Sequence, residues 1–353
     1  MTIYIIIGAV VVLALAGGYF WYTNKKIANI MHRDNSPSMK NYEWLATESA
    51  DALYPMEILE GEFELPDGTL VGVPTNGIAS NGWGERGAIA VIGDREKMIP
   101  KKFSITWFSY TENKFYSGAF DFPTAKVEQL FTSDQIDPIY QQKIEFRYII
   151  VGVAPGGVVS LWISDGGVCY EIGFFKANET ELGESLLGVD ELGLTRGEYI
   201  EETLKDRLNP QQLEFLKSHA IPIGQWDRYR EQFLWTFDTV GIRNVKSYWA
   251  KFLNGENRPY SAKDANNNQD PNRPLPASIQ VVWESDSGKP RIATARFDAD
   301  EIYTVYNNLS KDTPGETIHM DLEIDEFTPT LRVFVKKGKT SIELHKSTLI
   351  PGR

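Results

Sequence analysis

The stretch Ile99-Pro100-Lys101-Lys102-Phe103-Ser104-Ile105-Thr106-Trp107-Phe108-Ser109 alternates apolar and polar residues, as a half-buried β-strand does. A second stretch, Leu275-Pro276-Ala277-Ser278-Ile279-Gln280-Val281-Val282-Trp283-Glu284-Ser285, has the same pattern. The proline, the tryptophan and the final serine coincide, and the apolar positions fall on the same face. Two matching strands predict that one structural unit occurs twice in the chain.

The elements that follow each stretch keep the same order. A second strand ends in Phe-Asp at 120–121 and at 297–298, a short amphipathic helix comes next, and further strands around a turn close each copy. The predicted unit is therefore β-β-α-β-β-β, at about 99–177 and 275–349. This predicts an α+β fold made of two homologous, mainly antiparallel modules, each with a helix on one face of its sheet.

The region between the two copies differs in composition. Acidic residues alternate with leucines at 179–202, and two helices are expected at 197–208 and 210–219, with Asn209 capping the second. A third helix is expected at 225–235. The expected order is a first module at 42–178, a helical insertion at 179–253, a flexible Asn- and Pro-rich linker at 254–274 and a second module at 275–353.

Residues 3–22 contain no charged side chain, and about 20 apolar residues at about 1.5 Å each would span a bilayer core of about 30 Å. We expect a single-pass transmembrane anchor at 1–23, in contact with lipid through residues 3–22, and a polar stalk at 24–41. Lys25 and Lys26 favour a cytoplasmic soluble part by the positive-inside rule. Leu15-Ala16-Gly17-Gly18 resembles a lipoprotein cleavage box without its cysteine, which favours the periplasm.

Composition excludes several classes of function. The net charge of −12 opposes binding to nucleic acids, because phosphate backbones are also negative. The single cysteine, Cys169, forms no intrachain disulfide, and the four histidines stand too far apart in sequence for a metal site. We find no phosphate loop and no nucleophile motif. We expect no metal, no cofactor and no enzymatic activity.

Two segments supply candidate partner-binding residues. The glycine-rich loop at 81–87 could bind an anion or transfer a proton, although a tight structural turn is the favoured interpretation. The segment at 221–230 is rich in the Trp, Tyr and Arg that anchor interfaces, although a buttress inside the fold is favoured there. The candidates are Trp83, Glu85, Arg86, Trp226, Asp227, Arg228, Tyr229 and Arg230.

Several segments together resemble a bacterial family catalogued as domain of unknown function 2931. The matching pieces are Asn81-Gly82-Trp83-Gly84, Pro100 with Ile105-Thr106-Trp107-Phe108-Ser109, Lys114-Phe115-Tyr116, Val151-Gly152-Val153-Ala154-Pro155-Gly156-Gly157 with Val159 and Trp162, and Pro222-Ile223-Gly224-Gln225-Trp226-Asp227-Arg228-Tyr229-Arg230. The resemblance covers about residues 42–237, and the later module would be a diverged extra copy. It carries over no catalytic residues.

The resemblance implies an exported envelope protein of a Gram-negative bacterium. Many members look like lipoproteins, and some resemble immunity proteins encoded beside phospholipase toxins of the type VI secretion system. We therefore expect a protein in the inner (cytoplasmic) membrane whose soluble part lies in the periplasm, with the cytoplasm as the alternative. The expected function is to bind and block a phospholipase or lipase toxin. The alternatives are an envelope adaptor or scaffold for secretion cargo and, third, a hydrolase centred on Glu85 and Arg86.

Overall fold

The computed structural model describes residues 40–75, 77–89, 93–263, 272–312, 314–325 and 330–352. The strands of the first half are β1 Asn41–Glu43, β2 Leu45–Ala50, β3 Met56–Glu64, β4 Leu70–Gly72, β5 Ile78–Ala79, β6 Glu96–Met98, β7 Lys102–Ser109, β8 Lys114–Asp121, β9 Tyr148–Ala154, β10 Val158–Ser164, β11 Cys169–Lys176 and β12 Asn178–Thr180. Those of the second half are β13 Phe233–Val240, β14 Val245–Phe252, β15 Asn257–Ser261, β16 Asn272–Arg273, β17 Pro276–Glu284, β18 Pro290–Arg296, β19 Ile318–Ile324, β20 Leu331–Lys337, β21 Thr340–Leu344 and β22 Thr348–Pro351. The α-helices are α1 Thr124–Phe131, α2 Val189–Leu192, α3 Arg196–Arg207, α4 Pro210–Ser218, α5 Gln225–Arg228 and α6 Ala299–Asp312, and a 3₁₀ turn covers Glu184–Leu187.

The fold is mainly β, and the predicted α+β class is wrong. Strands hold 45% of the described residues and helices only 19%. The helices were overestimated chiefly between the two predicted modules. There, Phe233, Trp235 and Phe237 are all buried at alternate positions, which is the two-residue period of a strand. As a result β13 begins within the helix expected at 225–235, and both β13 and β14 lie in the segment that was assigned to the helical insertion.

The strands form four sheets. The largest has nine strands in the order β2-β9-β10-β11-β15-β14-β17-β18-β22. A six-stranded sheet has the order β12-β8-β7-β3-β4, with β5 also paired to β3, and a five-stranded sheet has the order β16-β13-β19-β20-β21. The fourth sheet consists of β1 and β6. The sheets are built mostly from antiparallel pairs, but β2 pairs with β9 and β13 with β19 in parallel.

The two halves of the chain contain the same order of strand pairs. In the first half β2 runs parallel to β9, which continues antiparallel into β10 and β11. In the second half β13 runs parallel to β19, which continues into β20 and β21. The triplet β3-β7-β8 likewise corresponds to β14-β17-β18. Each triplet is followed by a helix, α1 in one half and α6 in the other.

Strand β15 joins the two halves into one sheet. It pairs along its whole length with β14, from Asn257 to Ser261, and it pairs with β11 through Cys169 and Asn257. Residues 257–261 had been assigned to a flexible linker on the basis of their Asn and Pro content. The strand forms because its backbone finds hydrogen-bonding partners far away in sequence, which local composition does not show. Residues 40–353 make up one compact unit.

Buried side chains form two large cores and a smaller one. One core contains Trp44, Trp107 and Trp162, and the other contains Trp235, Phe237 and Tyr306. The third is built by Phe108, Tyr110 and Phe115 on the outer face of the six-stranded sheet, and the helical segment covers it with Leu187 and Val189. Helix α3 adds its partly buried Tyr199, Ile200 and Leu204 to this third core. The helical segment is therefore docked on a sheet.

Within the described residues, no helix combines the length and the apolar character needed to cross a bilayer. The expected anchor at 3–22 and the stalk up to residue 39 lie outside the described residues. The transmembrane helix that was part of the predicted fold class is thus not found.

Candidate functional site

The glycine-rich loop at 81–87 is fastened to strand β2. The Ser49 hydroxyl donates a hydrogen bond of 2.8 Å to the carbonyl of Gly82. The Asn81 side chain donates one of 2.6 Å to the carbonyl of Glu85, which closes the loop on itself. These bonds hold the loop in one shape, as expected for a structural turn.

Gly84 brings this loop into contact with the turn between β14 and β15. Its φ is +76°, and a Cβ built on it would lie 2.3 Å from the carbonyl oxygen of Gly255. Only glycine fits at position 84, because any side chain would meet backbone atoms and would also strain the backbone. The loop of the first half therefore touches the second half directly.

Trp83 and Trp226, which come from the two candidate segments, meet inside the protein. Their ring centroids are 6.3 Å apart, and both rings belong to a buried aromatic cluster with Tyr54 and Trp162. Trp226 is fully buried, and the Trp162 indole donates a 3.0 Å hydrogen bond to the carbonyl of Asn254. These tryptophans can reach a partner only if the core opens. In the structure these tryptophans therefore pack between loops and hold the loops together.

The charged candidates after Trp226 lie at the surface in ion pairs. Asp227 pairs with Lys176 at 3.2 Å, and Arg228 pairs with Asp300 at 3.4 Å. Arg228 also lies over the ring of Tyr303, with 5.1 Å from its guanidinium carbon to the ring centroid. Such exposed pairs contribute roughly 0–1 kcal/mol each to stability, so their side chains could exchange partners at low cost.

Arg230 is bound more firmly than its neighbours. Its Nε donates a 2.8 Å hydrogen bond to Glu171, whose side chain is only 10% exposed, and its guanidinium lies over the ring of Phe174. Burial raises the pKa of Glu171, while Arg230 and the Ser160 hydroxyl act in the opposite direction. Burial also raises the pKa of Tyr229, whose hydroxyl donates to the side chain of Gln225. The bond between Arg230 and Glu171 links the region of helix α5 to strand β11.

Glu85 and Arg86 border a small polar cavity of about 150 Å³. Glu85 forms an ion pair with Lys251, and Arg86 lies over the ring of Tyr148 at 4.2 Å. Cys169 also lines the cavity, and burial raises the pKa of its thiol well above the ordinary value. The carboxylate of Glu85 is neutralised by its lysine. Among the described residues, no group of His, Cys, Asp and Glu is placed to hold a metal ion.

A second surface was not among the sequence candidates. Helices α3 and α4 pack side by side and leave an apolar groove of about 300 Å³, lined by Leu204, Leu213, Leu216 and Ile221. Thr111, Glu201, Lys205 and Lys217 surround these residues. The leucine spacing was visible in the sequence. It indicated helices, but it could not show that the two helices leave part of their apolar faces uncovered.

Comparisons with known proteins identify the family. The family model described as "Protein of unknown function (DUF2931)" matches residues 30–224, which is more than half of the chain. The match includes the glycine-rich loop and the helical groove, and it does not extend over the second half, where a diverged copy had been expected. No curated protein and no solved structure matches the chain. The protein is a member of the DUF2931 family.

Proposed function

We propose that this chain is a non-enzymatic binding protein that holds a protein partner in the groove between α3 and α4. The observation that carries the proposal is the solvent exposure of the side chains of helix α4. In this helix of nine residues, none is buried, although Leu213, Phe215 and Leu216 are apolar. Phe215 is 42% exposed, and Ile223, just beyond the helix, is 60% exposed. Apolar surface left open next to a groove is typical of a protein-binding site.

The net charge of the helical segment indicates the charge expected of the partner. Residues 179–224 contain ten acidic residues and four Lys or Arg, so this stretch carries a net charge of −6, half of the charge of the whole chain. In the groove itself Lys205 is paired with Glu201 at 2.6 Å and Lys217 is a second lysine, so the acidic excess of this stretch lies outside the groove lining. A field of this sign attracts a basic surface and speeds its association. The fitting partner is a basic, amphipathic helix that inserts apolar side chains into the groove.

The family resemblance supports a proposal about which protein the partner is. We propose that the partner is a phospholipase or lipase toxin of the type VI secretion system, and that this protein acts as its immunity protein in the bacterial envelope, with its site of action in the periplasm. Binding would block the toxin by covering its surface, which needs complementary shape and charge rather than reactive groups. An adaptor or scaffold for secretion cargo would use the same groove, but it would bind its partner without inhibiting it.

The experiment is co-expression of the full-length chain with a phospholipase toxin encoded beside its gene, scored by cell survival and by co-purification. Leu213→Asp places a charge in the groove and should weaken binding by about 30-fold or more, as expected for an interface residue worth at least about 2 kcal/mol. The matched control is Ile136→Asp, because Ile136 is an exposed apolar residue that does not line the groove.

Each outcome separates the alternatives. Survival that is lost with Leu213→Asp but retained with Ile136→Asp supports the immunity function. Co-purification without protection supports the adaptor. If the toxin binds Leu213→Asp as tightly as the unchanged chain, the groove is not the contact surface. If no toxin gene neighbours this one, the immunity proposal fails.

A further inference from the structure

A shallow groove crosses the nine-stranded sheet where the two halves join. It has a volume of about 340 Å³ and is lined by Gly167, Trp249, Lys251, Asn257, Ser278, Gln280 and Thr294. The small cavity beside Glu85 and Arg86 shares Gly167, Lys251 and Asn257 with it, so the two adjoin. Together they offer room for one or two rings of a small ligand.

The floor of the groove consists of side chains from interior strands. Trp249 on β14 lies opposite Gln280 on β17, and Gln280 lies opposite Thr294 on β18. Strands β14 and β17 each pair with a strand on both sides, so their backbone groups are already hydrogen-bonded. A peptide therefore cannot add itself here as an extra strand. A ligand must be recognised by side chains alone.

The tryptophan of the groove packs partly against the first core and is partly exposed. The side chain of Trp249 is only partly buried, and no aromatic ring or cation of the described ranges stacks on it. A Cβ built on Gly167 would lie 3.3 Å from the edge of this ring. Gly167 thus lets one end of the ring pack closely against its backbone, and a flat apolar ring of a ligand could lie against the part of the indole that stays exposed in the groove.

The polar groups around Trp249 are hydroxyls and amides with unused hydrogen-bonding capacity. Within the described part of the chain, the side chains of Ser278, Gln280 and Thr294 make no hydrogen bond, and the Asn257 amide donates its one bond, of 2.8 Å, to the carbonyl of Gly167. Hydroxyls and amides both donate and accept, which suits a ligand rich in hydroxyl groups. Lys251 is neutralised by Glu85, so the lining favours a neutral ligand over a charged one.

From this combination we propose that the groove is a saccharide-binding site, with a pyranose ring stacked on Trp249. The hydroxyls of the sugar would exchange hydrogen bonds with Gln280, Ser278, Thr294 and Asn257 in place of water. A pyranose ring has one apolar face and a rim of hydroxyls, which matches an aromatic side chain surrounded by hydroxyls and amides. The site is separate from the helical groove, so its occupation does not depend on a protein partner.

The proposal is tested by titrating the full-length chain with cellobiose, maltose and N,N′-diacetylchitobiose, using isothermal calorimetry and saturation-transfer NMR. We expect at least one disaccharide to bind with a dissociation constant of about 1 mM or below, a free energy of about −4 kcal/mol. Trp249→Ala should weaken that binding by about tenfold or more, because it removes the stacking face. Gln280→Ala should weaken it by about two- to tenfold through the loss of hydrogen bonds, and it leaves the core intact.

The control variant is Tyr140→Ala, which removes an exposed aromatic side chain from a loop outside the groove. It should leave the affinity unchanged. If none of the three sugars binds, or if the affinity is the same in Gln280→Ala and in the unchanged chain, the groove is not a saccharide site. If Trp249→Ala does not fold, Gln280→Ala alone decides the outcome.

Discussion

Replacing Gly84 by alanine tests the contact between the glycine-rich loop and the turn after β14. Two costs add at this position. An L-residue at a φ of +76° costs roughly 1–2 kcal/mol, and forcing a methyl group against the backbone of Gly255 costs about 1–3 kcal/mol more. We expect Gly84→Ala to lower the free energy of unfolding by about 2–5 kcal/mol.

The matched control is Gly68→Ala. Gly68 has a similar φ of +88°, but a Cβ built on it meets no atom within 4 Å. Gly68→Ala should therefore show the conformational cost alone, and Gly84→Ala should exceed it by about 1–3 kcal/mol, the cost of the overpacked contact. Both values come from urea unfolding of the full-length chain at pH 7, followed by circular dichroism and extrapolated linearly.

Equal destabilisation by the two substitutions would contradict this reasoning. It would mean that the loop and the Gly255 turn separate easily, so that the close approach of Gly84 contributes nothing to stability. The fluorescence of the aromatic cluster provides a second measurement. Trp162 packs against Gly255, so its emission should change in Gly84→Ala and stay constant in Gly68→Ala.

Two further predictions concern buried residues. Trp107→Ala and Trp283→Ala should each lower the free energy of unfolding by about 3–5 kcal/mol in urea titrations, because each substitution leaves a large buried site empty. Free quenching of either tryptophan by acrylamide in the native protein would contradict this prediction. Arg230→Ala leaves the buried carboxylate of Glu171 without its cation and should cost about 1–3 kcal/mol at pH 7. Since burial raises the pKa of Glu171 in the folded state, the loss should shrink as the pH falls and the carboxyl takes up a proton. A loss that does not vary with pH would point to packing instead.

Local signals predicted the local elements. The alternation at 99–109 led to strand β7, and the Asn209-Pro210 pair correctly marked the start of α4, where the Asn209 side chain accepts a hydrogen bond from the backbone N–H of Gln212. Both depend on residues close in sequence, so the pattern alone specifies them. The order β-β-α-β-β-β could be read for the same reason.

Elsewhere the prediction of secondary structure was wrong, because some strands pair with strands that are far away in sequence. Trp226, Tyr229 and Phe233 recur at a spacing that also fits a helix, but Phe233 begins strand β13, which from Trp235 onward pairs with β19, 83 residues later. The candidate site shows the same limit. A structural role was favoured for the segments of Trp83 and Trp226, with partner binding as the alternative, but nothing in the sequence indicated that the two indoles pack against each other in the core.

The narrow joint between β11 and β15 has a consequence for the family. The family match ends at residue 224, before β14 and β15 begin, so a chain limited to the matched region would present β11 as an open edge. Such an edge invites pairing with other chains and aggregation. In this protein β15 pairs with that edge at Cys169, and the Glu256 carboxylate accepts a 3.0 Å hydrogen bond from the backbone N–H of Glu171, so residues of the second half occupy part of the edge. A shorter member of the family would need its own means of protecting that edge, such as a lysine, a proline or a second copy of itself.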